Sequence, residues 1–507
     1  MEDAMHILGS FPIGASNADD STLRKFDSAL RQYALATSKL SKESRAAVVA
    51  VPLPFLQVTP LETSLPAFFS PYWQMLDPTK NTIGNLILLD IFYSDDAELP
   101  SQLLQRTVEV LQHLDPRQVT YVGGLLLSVL ERIGSGKILP PSLSVEVLTS
   151  TILRLNPEGS VFTSTHLILA KLVHASNFIQ PALRVLDSNI LFYPTTFTPR
   201  DVRHLLCEPD LSHSPSNSPN TGLTDPLKSA MVIEYNFTRG LIYMSVKDWE
   251  KAKIAFEQVI THPCRNKNVS KMMTDAYKKW LLVGLLHRGR APTFPSLLSP
   301  SAQTGFTTAG EPYSGLASLF CTTRVADLRS KYETHKQTWQ VDGNMSLVDE
   351  VMSAYQKWQI NNLQNIYKRV PMSEVRRTTL DAETGKPSPD VQTTEALVRG
   401  MIESGILKGQ IETAPDGGES YLAFHSPEAS MTDEDAAVEI RYHFLMLEDL
   451  HHAYGVTDER LKWNKDYIRH VAREQKRAEV EKEADAAVGF ETQIEDEDLM
   501  TGVLASA

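Results

Sequence analysis

The sequence predicts a mainly α protein: a tetratricopeptide-like helical-repeat solenoid, then a winged-helix subdomain, then a long C-terminal helix. Three observations predict it. Apolar residues recur at helical spacing in successive runs separated by short turns bearing Pro or Gly. One small-to-large packing pattern occurs twice, 70 residues apart. Near the end, helices give way to two alternating runs joined through Asp-Gly, and a long amphipathic stretch follows.

The elements follow in order. Leu23, Phe26, Leu30 and Tyr33 share one helical face, with Arg24, Lys25 and Arg31 off it. Ser101 caps a helix carrying Leu104, Val108 and Leu111, which stops at Asp115-Pro116. Apolar helical runs continue at 119–133, 143–155 and 164–175, broken by Gly134-Ser135-Gly136, Pro140-Pro141 and Asn156-Pro157. Such alternation suggests stacked hairpins rather than one bundle. Ala170, Val173, Ala182 and Leu186 have the spacing of a tetratricopeptide repeat core, and Gly240, Tyr243, Ala252 and Phe256 repeat it. A small residue on the first helix lets the second approach, and the large side chain fills the gap between them. Two unrelated amphipathic hairpins would satisfy the same positions, and either reading gives a helical array.

Residues 208–227 are rich in Ser, Pro and Asn and read as a mobile surface loop. Residues 289–314 read similarly, with Phe294, Leu297 and Leu298 able to pin part of the stretch. Beyond 344 a helix from Ser346 carries Leu347, Val351, Met352 and Tyr355. After Ile366-Tyr367 come a short helix over Ser373–Thr379, a polar insert at 380–392 containing Gly385-Lys386-Pro387, and a helix over Thr393–Ser404. Strand-like runs at Ile406–Glu412 and Ser420–Phe424, joined by Pro415-Asp416-Gly417-Gly418, complete the order of a winged helix. The final helix carries an apolar stripe, Ile440, Phe444, Leu447, Tyr454, Leu461, Ile468 and Val471, with a hitch at Gly455-Val456. The expected boundaries are 1–160 for N-terminal repeats, 161–344 for tetratricopeptide-like repeats and 345–428 for the winged helix. The terminal helix then spans 432–480, and an acidic disordered tail spans 481–507.

Composition and motifs limit the function. Lys+Arg 49 against Asp+Glu 62 leaves a net charge of −13, a poor starting point for binding a polyanion. The helix in the recognition position offers Gln392, Thr393, Thr394, Glu395 and Arg399, whereas base readout calls for Arg, Lys, Asn or Gln at its exposed start. Lys368-Arg369 and Arg376-Arg377 lie on earlier elements and read as a solvated face, so nucleic acid is disfavoured. A hairpin edge can instead pair with a neighbour's strand. Cys207, Cys264 and Cys321 form no CxxC, which suits a reducing compartment. The acidic start Met1-Glu2-Asp3-Ala4 and an apolar run of only Ala46–Leu56 predict neither export nor a membrane span, hence cytoplasm and nucleus. His443, His451, His452 and His470 have no carboxylate or Cys pattern to complete a metal site. Among 14 histidines no His-x-His, HExxH, GxSxG or phosphate-binding Gly motif occurs. No catalytic residue, metal or cofactor is expected, and the chain reads as a non-catalytic scaffold.

Helical repeats running into a winged helix and a terminal helix resemble the PCI family, found in the proteasome lid, the COP9 signalosome and a translation initiation factor complex. The runs Tyr235–Tyr243, Trp249–Ala252, Phe256–Thr261 and Ala276–Val283 resemble the signalosome branch, as do Leu347–Val351 and Met401–Ile406. The resemblance implies a subunit of an assembly that deneddylates cullin–RING ubiquitin ligases, its metalloprotease chemistry residing in another chain. It further implies that the hairpin residues Leu407, Gly409, Ile411, Tyr421, Leu422 and Phe424 join neighbouring winged helices. The C-terminal helix would enter a bundle with the other PCI subunits and the MPN subunits, and the outward repeats have cullin–RING ligases as a candidate contact. The alternatives are a PCI subunit of the proteasome lid or of the initiation factor complex, and a winged-helix nucleic-acid binder.

Overall fold

The computed structural model describes residues 20–39, 77–79, 81–93, 101–157, 159–194, 219–263, 269–413, 419–424, 433–462, 467–473 and 475–476. It forms two compact units, residues 1–425 and 426–507. The Pro415–Gly418 turn, the tail at 481–507 and the stretch 208–218 lie outside the described residues. No described helix is long and apolar enough to cross a membrane.

The first unit opens with α1 (Asp20–Ser38), α2 (Thr82–Tyr93) and α3 (Ser101–His113). α2 is apolar almost all round, with Ile83, Leu86, Ile87, Leu88 and Leu89 buried, as a helix enclosed by others must be. α4 (Pro116–Val119), α5 (Gly123–Gly134), α6 (Pro141–Leu155) and α7 (Ser164–Ser176) follow. Their ends are set by local chemistry. Pro116 and Pro141 occupy first-turn positions whose N–H has no helical partner anyway. The Asp115 carboxylate accepts the Arg117 N–H at 3.1 Å. The Thr163 N–H donates to His166 Nδ1 at 3.2 Å at the start of α7, and Asn177 ends that helix in the left-handed region at φ 55°.

The first occurrence of the repeat pattern departs from the expected second helix. Ala170, Val173, Ala182 and Leu186 are all buried, but Gln180–Ala182 is a 3₁₀ turn leading into the four-residue α8 (Leu183–Leu186). Pro181 removes a backbone donor there, and the Ser188 hydroxyl, donating to the Val185 carbonyl at 2.6 Å, closes the turn early. The second occurrence has two full helices, α9 (Ser229–Ser245) and α10 (Trp249–Ile260), with α11 (Lys271–Arg288) packed beside them. Gly240, on α9, faces the Phe256 ring; Tyr243, Ala252 and Phe256 are fully buried. The Tyr243 hydroxyl donates to Asp187 Oδ1 at 2.7 Å, tying α9 to the end of α8.

Both expected loops contain packed residues. At the end of the 208–227 stretch, Leu223 and Thr224 are buried, and the Thr224 hydroxyl accepts the Ser164 N–H at 2.9 Å. Most of the 289–314 stretch is helical: α12 (Pro300–Ala309) and α13 (Glu311–Phe320) bury Phe306, Tyr313, Leu316 and Phe320. Phe294 stacks on Tyr277 at a centroid distance of 5.6 Å, Leu298 is buried, and Leu297 is exposed. α14 (Val325–Val341) then leads to α15 (Met345–Asn362).

α15 belongs to two cores. Leu347, Val348, Val351, Met352 and Tyr355 lie in the core of the repeats, whereas Ile360 joins a second, smaller core. That core is completed by β1 (Arg369–Pro371), α16 (Met372–Thr378), α17 (Val391–Glu403), β2 (Gly409–Thr413) and β3 (Ser420–Phe424). The sheet is antiparallel in the order β1-β3-β2, with Val370 opposite Leu422 and Leu422 opposite Ile411. This is a winged helix with a third strand that the hairpin pattern did not announce. The second unit is described by α18 (Asp433–Lys462), with residues 467–473 helical again.

Candidate assembly surfaces

The sheet divides the six hairpin residues into two groups. Leu422 points from β3 to the inner face of the sheet, beside Val370 and Ile411, and is fully buried; Leu407, between α17 and β2, is buried as well. Both are core residues of the winged helix itself, which corrects their assignment to an interface. Gly409 is also inward: a Cβ there would stand 2.7 Å from the Ala423 carbonyl oxygen, too close for any other residue without a backbone shift. Ile411, Tyr421 and Phe424 are half-buried and reach the surface. Arg369 lies 4.4 Å from the Tyr421 ring centroid and pairs with Glu412 at 3.1 Å, which fixes that face of the sheet. Among the described residues β2 is paired on one side only, leaving the backbone groups of its outer edge available to a further strand. Ile406, 45% exposed, stands just before this edge.

Three arginines near the sheet are engaged in internal contacts. Arg376 donates from Nε to the Ser388 carbonyl at 2.6 Å and from Nη2 to the Pro389 carbonyl at 2.8 Å. Arg377 forms two hydrogen bonds to Glu374, at 2.9 and 2.8 Å, and this bond holds the Glu374 carboxyl below its ordinary range. Arg399 pairs with Glu395 at 2.8 Å. Guanidinium groups already paired with carboxylates offer little to a phosphate backbone.

Among the described residues of the second unit, α18 carries many exposed apolar side chains. Ile440, Phe444, Leu447, Tyr454 and Leu461 are exposed, Phe444 and Leu447 at 64% each. Beyond it, Ile468 is exposed and Val471 half-buried. The stripe is broader than its sequence suggested, because Val438, Tyr442, Leu445, Met446 and Leu450 are exposed as well and lie off the stripe's line. At 100° per residue they carry apolar surface around most of the helix between 438 and 450, the pattern of a helix enclosed on several sides. The sequence itself carries this wider signal, since Val438, Tyr442, Leu445, Met446 and Leu450 fall outside the positions of the single stripe. The expected hitch at Gly455-Val456 is absent: the helix runs through both, since an interior glycine costs only about 1 kcal/mol.

His166 is enclosed, and burial pushes its imidazole down to about 4. Its Nδ1 holds the Thr163 cap, and its Nε2 has no hydrogen-bond partner among the described residues. An open groove of about 540 Å³ between α1 and the start of α5 offers Arg31, Tyr121 and hydroxyls amid apolar walls. Among the described residues no three His, Cys, Asp or Glu side chains are grouped as a metal site would require.

Comparison with known proteins converges on one assembly. Residues 65–208 and 220–301 match the family described as COP9 signalosome complex subunit 3, N-terminal helical repeats. COP9 signalosome complex subunit 3 of Neurospora crassa is 32% identical over 444 residues, which are 85% of this chain and 89% of that protein. The subunit of the same name from Emericella nidulans is 27% identical over 393 residues, 74% of this chain and 77% of that protein.

Proposed function

Because the chain belongs to the COP9 signalosome subunit 3 family, we propose that it is a non-catalytic scaffold subunit of that complex. The observation that carries this reading is α18, whose apolar residues are exposed around most of the helix. Exposed apolar surface of this extent marks a protein–protein interface. In the proposed complex α18 enters a bundle with helices of the other subunits, and the outer edge of β2 pairs with a neighbouring winged helix. The deneddylation of cullin–RING ligases is then carried out by another chain, and this one contributes position. Its place is the cytoplasm and nucleus.

The test is a pulldown of the tagged full chain at native levels, with mass spectrometry of what co-purifies. Other signalosome subunits are the expected companions. Migration of the chain alone, or companions from the proteasome lid or the initiation factor complex, would overturn the proposal.

A further inference from the structure

Between α16 and α17 the chain inserts residues 379–390, and this insert packs on the repeats as well as on the winged helix that contains it. Ala382 is fully buried in the core of the repeats, with Leu380 packed against the same core. The Leu380 N–H donates to Gln359 Oε1 on α15 at 2.9 Å, and Gln356 Nε2 of the same helix donates to the Ser388 hydroxyl at 3.0 Å. Arg329 on α14 donates from Nη1 to the Thr384 carbonyl at 3.2 Å. On the other side, Arg376 of α16 holds the Ser388 and Pro389 carbonyls.

The insert is also closed upon itself. The Asp381 carboxylate accepts from the Thr384 N–H at 3.1 Å and hydroxyl at 2.8 Å, and the Asp381 N–H donates to the Lys386 carbonyl at 3.0 Å. Gly385 turns the chain at φ +69°, where a Cβ would stand 2.8 Å from Arg329 Nη1. A closed turn of this kind holds its shape and can transmit a constraint.

We propose that residues 379–390 are a strap that clamps the winged helix at a fixed angle to the helical repeats. α15 already joins the two cores, but one helix can bend and twist along its axis. The strap attaches the winged helix at a second place, through Ala382 and Arg329, away from that axis. Two separated attachments define an orientation where one does not, so the strap determines where the β2 edge points.

The test measures that orientation in the full chain. Cys207, Cys264 and Cys321 are replaced by Ser, and nitroxide labels are placed at Gln337→Cys on α14 and Lys408→Cys beside β2. Pulsed electron–electron resonance then gives the label distance distribution. The parent is expected to show one narrow distribution, and the pair Arg329→Ala with Gln356→Ala to roughly double its width. Amide exchange at Leu380 and Thr384 is expected to rise roughly tenfold in the same variant. Ala382→Asp should broaden the distribution further; where it does not fold, the double-alanine variant carries the test. A distribution that stays narrow while those amides exchange freely overturns the proposal, because α15 alone would then hold the angle. A broad distribution in the parent, or neither quantity moving in the variant, overturns it too.

Discussion

Cε1 of Phe256 lies 2.6 Å from the point where a Cβ on Gly240 would stand. α9 and α10 therefore meet at the distance set by a ring against a bare backbone. Gly240→Ala must displace either the ring or a helix and is expected to cost about 1–3 kcal/mol. Phe256→Ala leaves a cavity instead and is expected to cost about 3–5 kcal/mol. Urea unfolding of each variant measures both. Because the residues touch, the double variant should depart from additivity. An unchanged midpoint for Gly240→Ala would show that the helices can separate freely.

Phe444→Asp or Leu447→Asp is expected to release the chain from its complex while leaving the first unit folded. Both side chains are 64% exposed in the chain alone, so a carboxylate there meets water until a partner helix covers it. Leu422→Asp makes the contrast, since a charge inside the small core should destabilise the winged helix itself. Co-purification and circular dichroism separate the two effects, and retained assembly of Phe444→Asp would count against the bundle.

His166 makes stability fall with acid. Burial holds its folded imidazole at about 4, against an ordinary value of 6.5, so between those values the unfolded chain binds the proton and the folded chain does not. Stability is therefore undiminished above pH 6.5 and is lost as pH falls toward 4, with a slope approaching about 1.4 kcal/mol per unit. His166→Gln, which keeps an acceptor for the Thr163 cap, should flatten that slope. Urea midpoints at pH 7 and pH 5 for both proteins provide the check; parallel losses would exclude His166 as the source.

Duplex DNA is expected to bind the chain no more tightly when salt is lowered than its net charge allows. The double variant Arg376→Ala, Arg377→Ala should leave that weak binding unchanged, because Arg376 is engaged with carbonyls and Arg377 with Glu374. Fluorescence anisotropy across a salt series gives the slope. A clear loss on substitution would revive the nucleic-acid reading.

Helix ends were legible because their chemistry is local: Asp115, Pro141 and Asn156 act on neighbouring backbone groups. The repeat pattern at Gly240 and Phe256 was legible because a close helix approach needs a small residue at one point. β1 was not, since Arg369-Val370-Pro371 is too short for periodicity and becomes a strand only by pairing with β3. Leu422 was assigned to an interface by the resemblance alone; alternation along β3 turns it inward while Tyr421 and Ala423 stay half-buried on the other face. α12 and α13 were hidden by Ser, Thr, Gly and Pro, and tertiary burial of Phe306, Tyr313 and Phe320 outweighs those weak propensities. The strap read as a polar insert because its single core residue, Ala382, carries no sequence signal.

α15 is a structural element with two owners. Its first part fills the repeats and Ile360 fills the winged helix, so melting either core removes packing that holds the helix. The two cores should then lose structure together, as one cooperative event rather than two. A fragment that begins after Asn362 would carry the winged helix without Ile360, and one that ends before Met345 would take Leu347 through Tyr355 from the repeats. Neither half is a natural piece to cut out. Between residues 345 and 362 the chain has no seam.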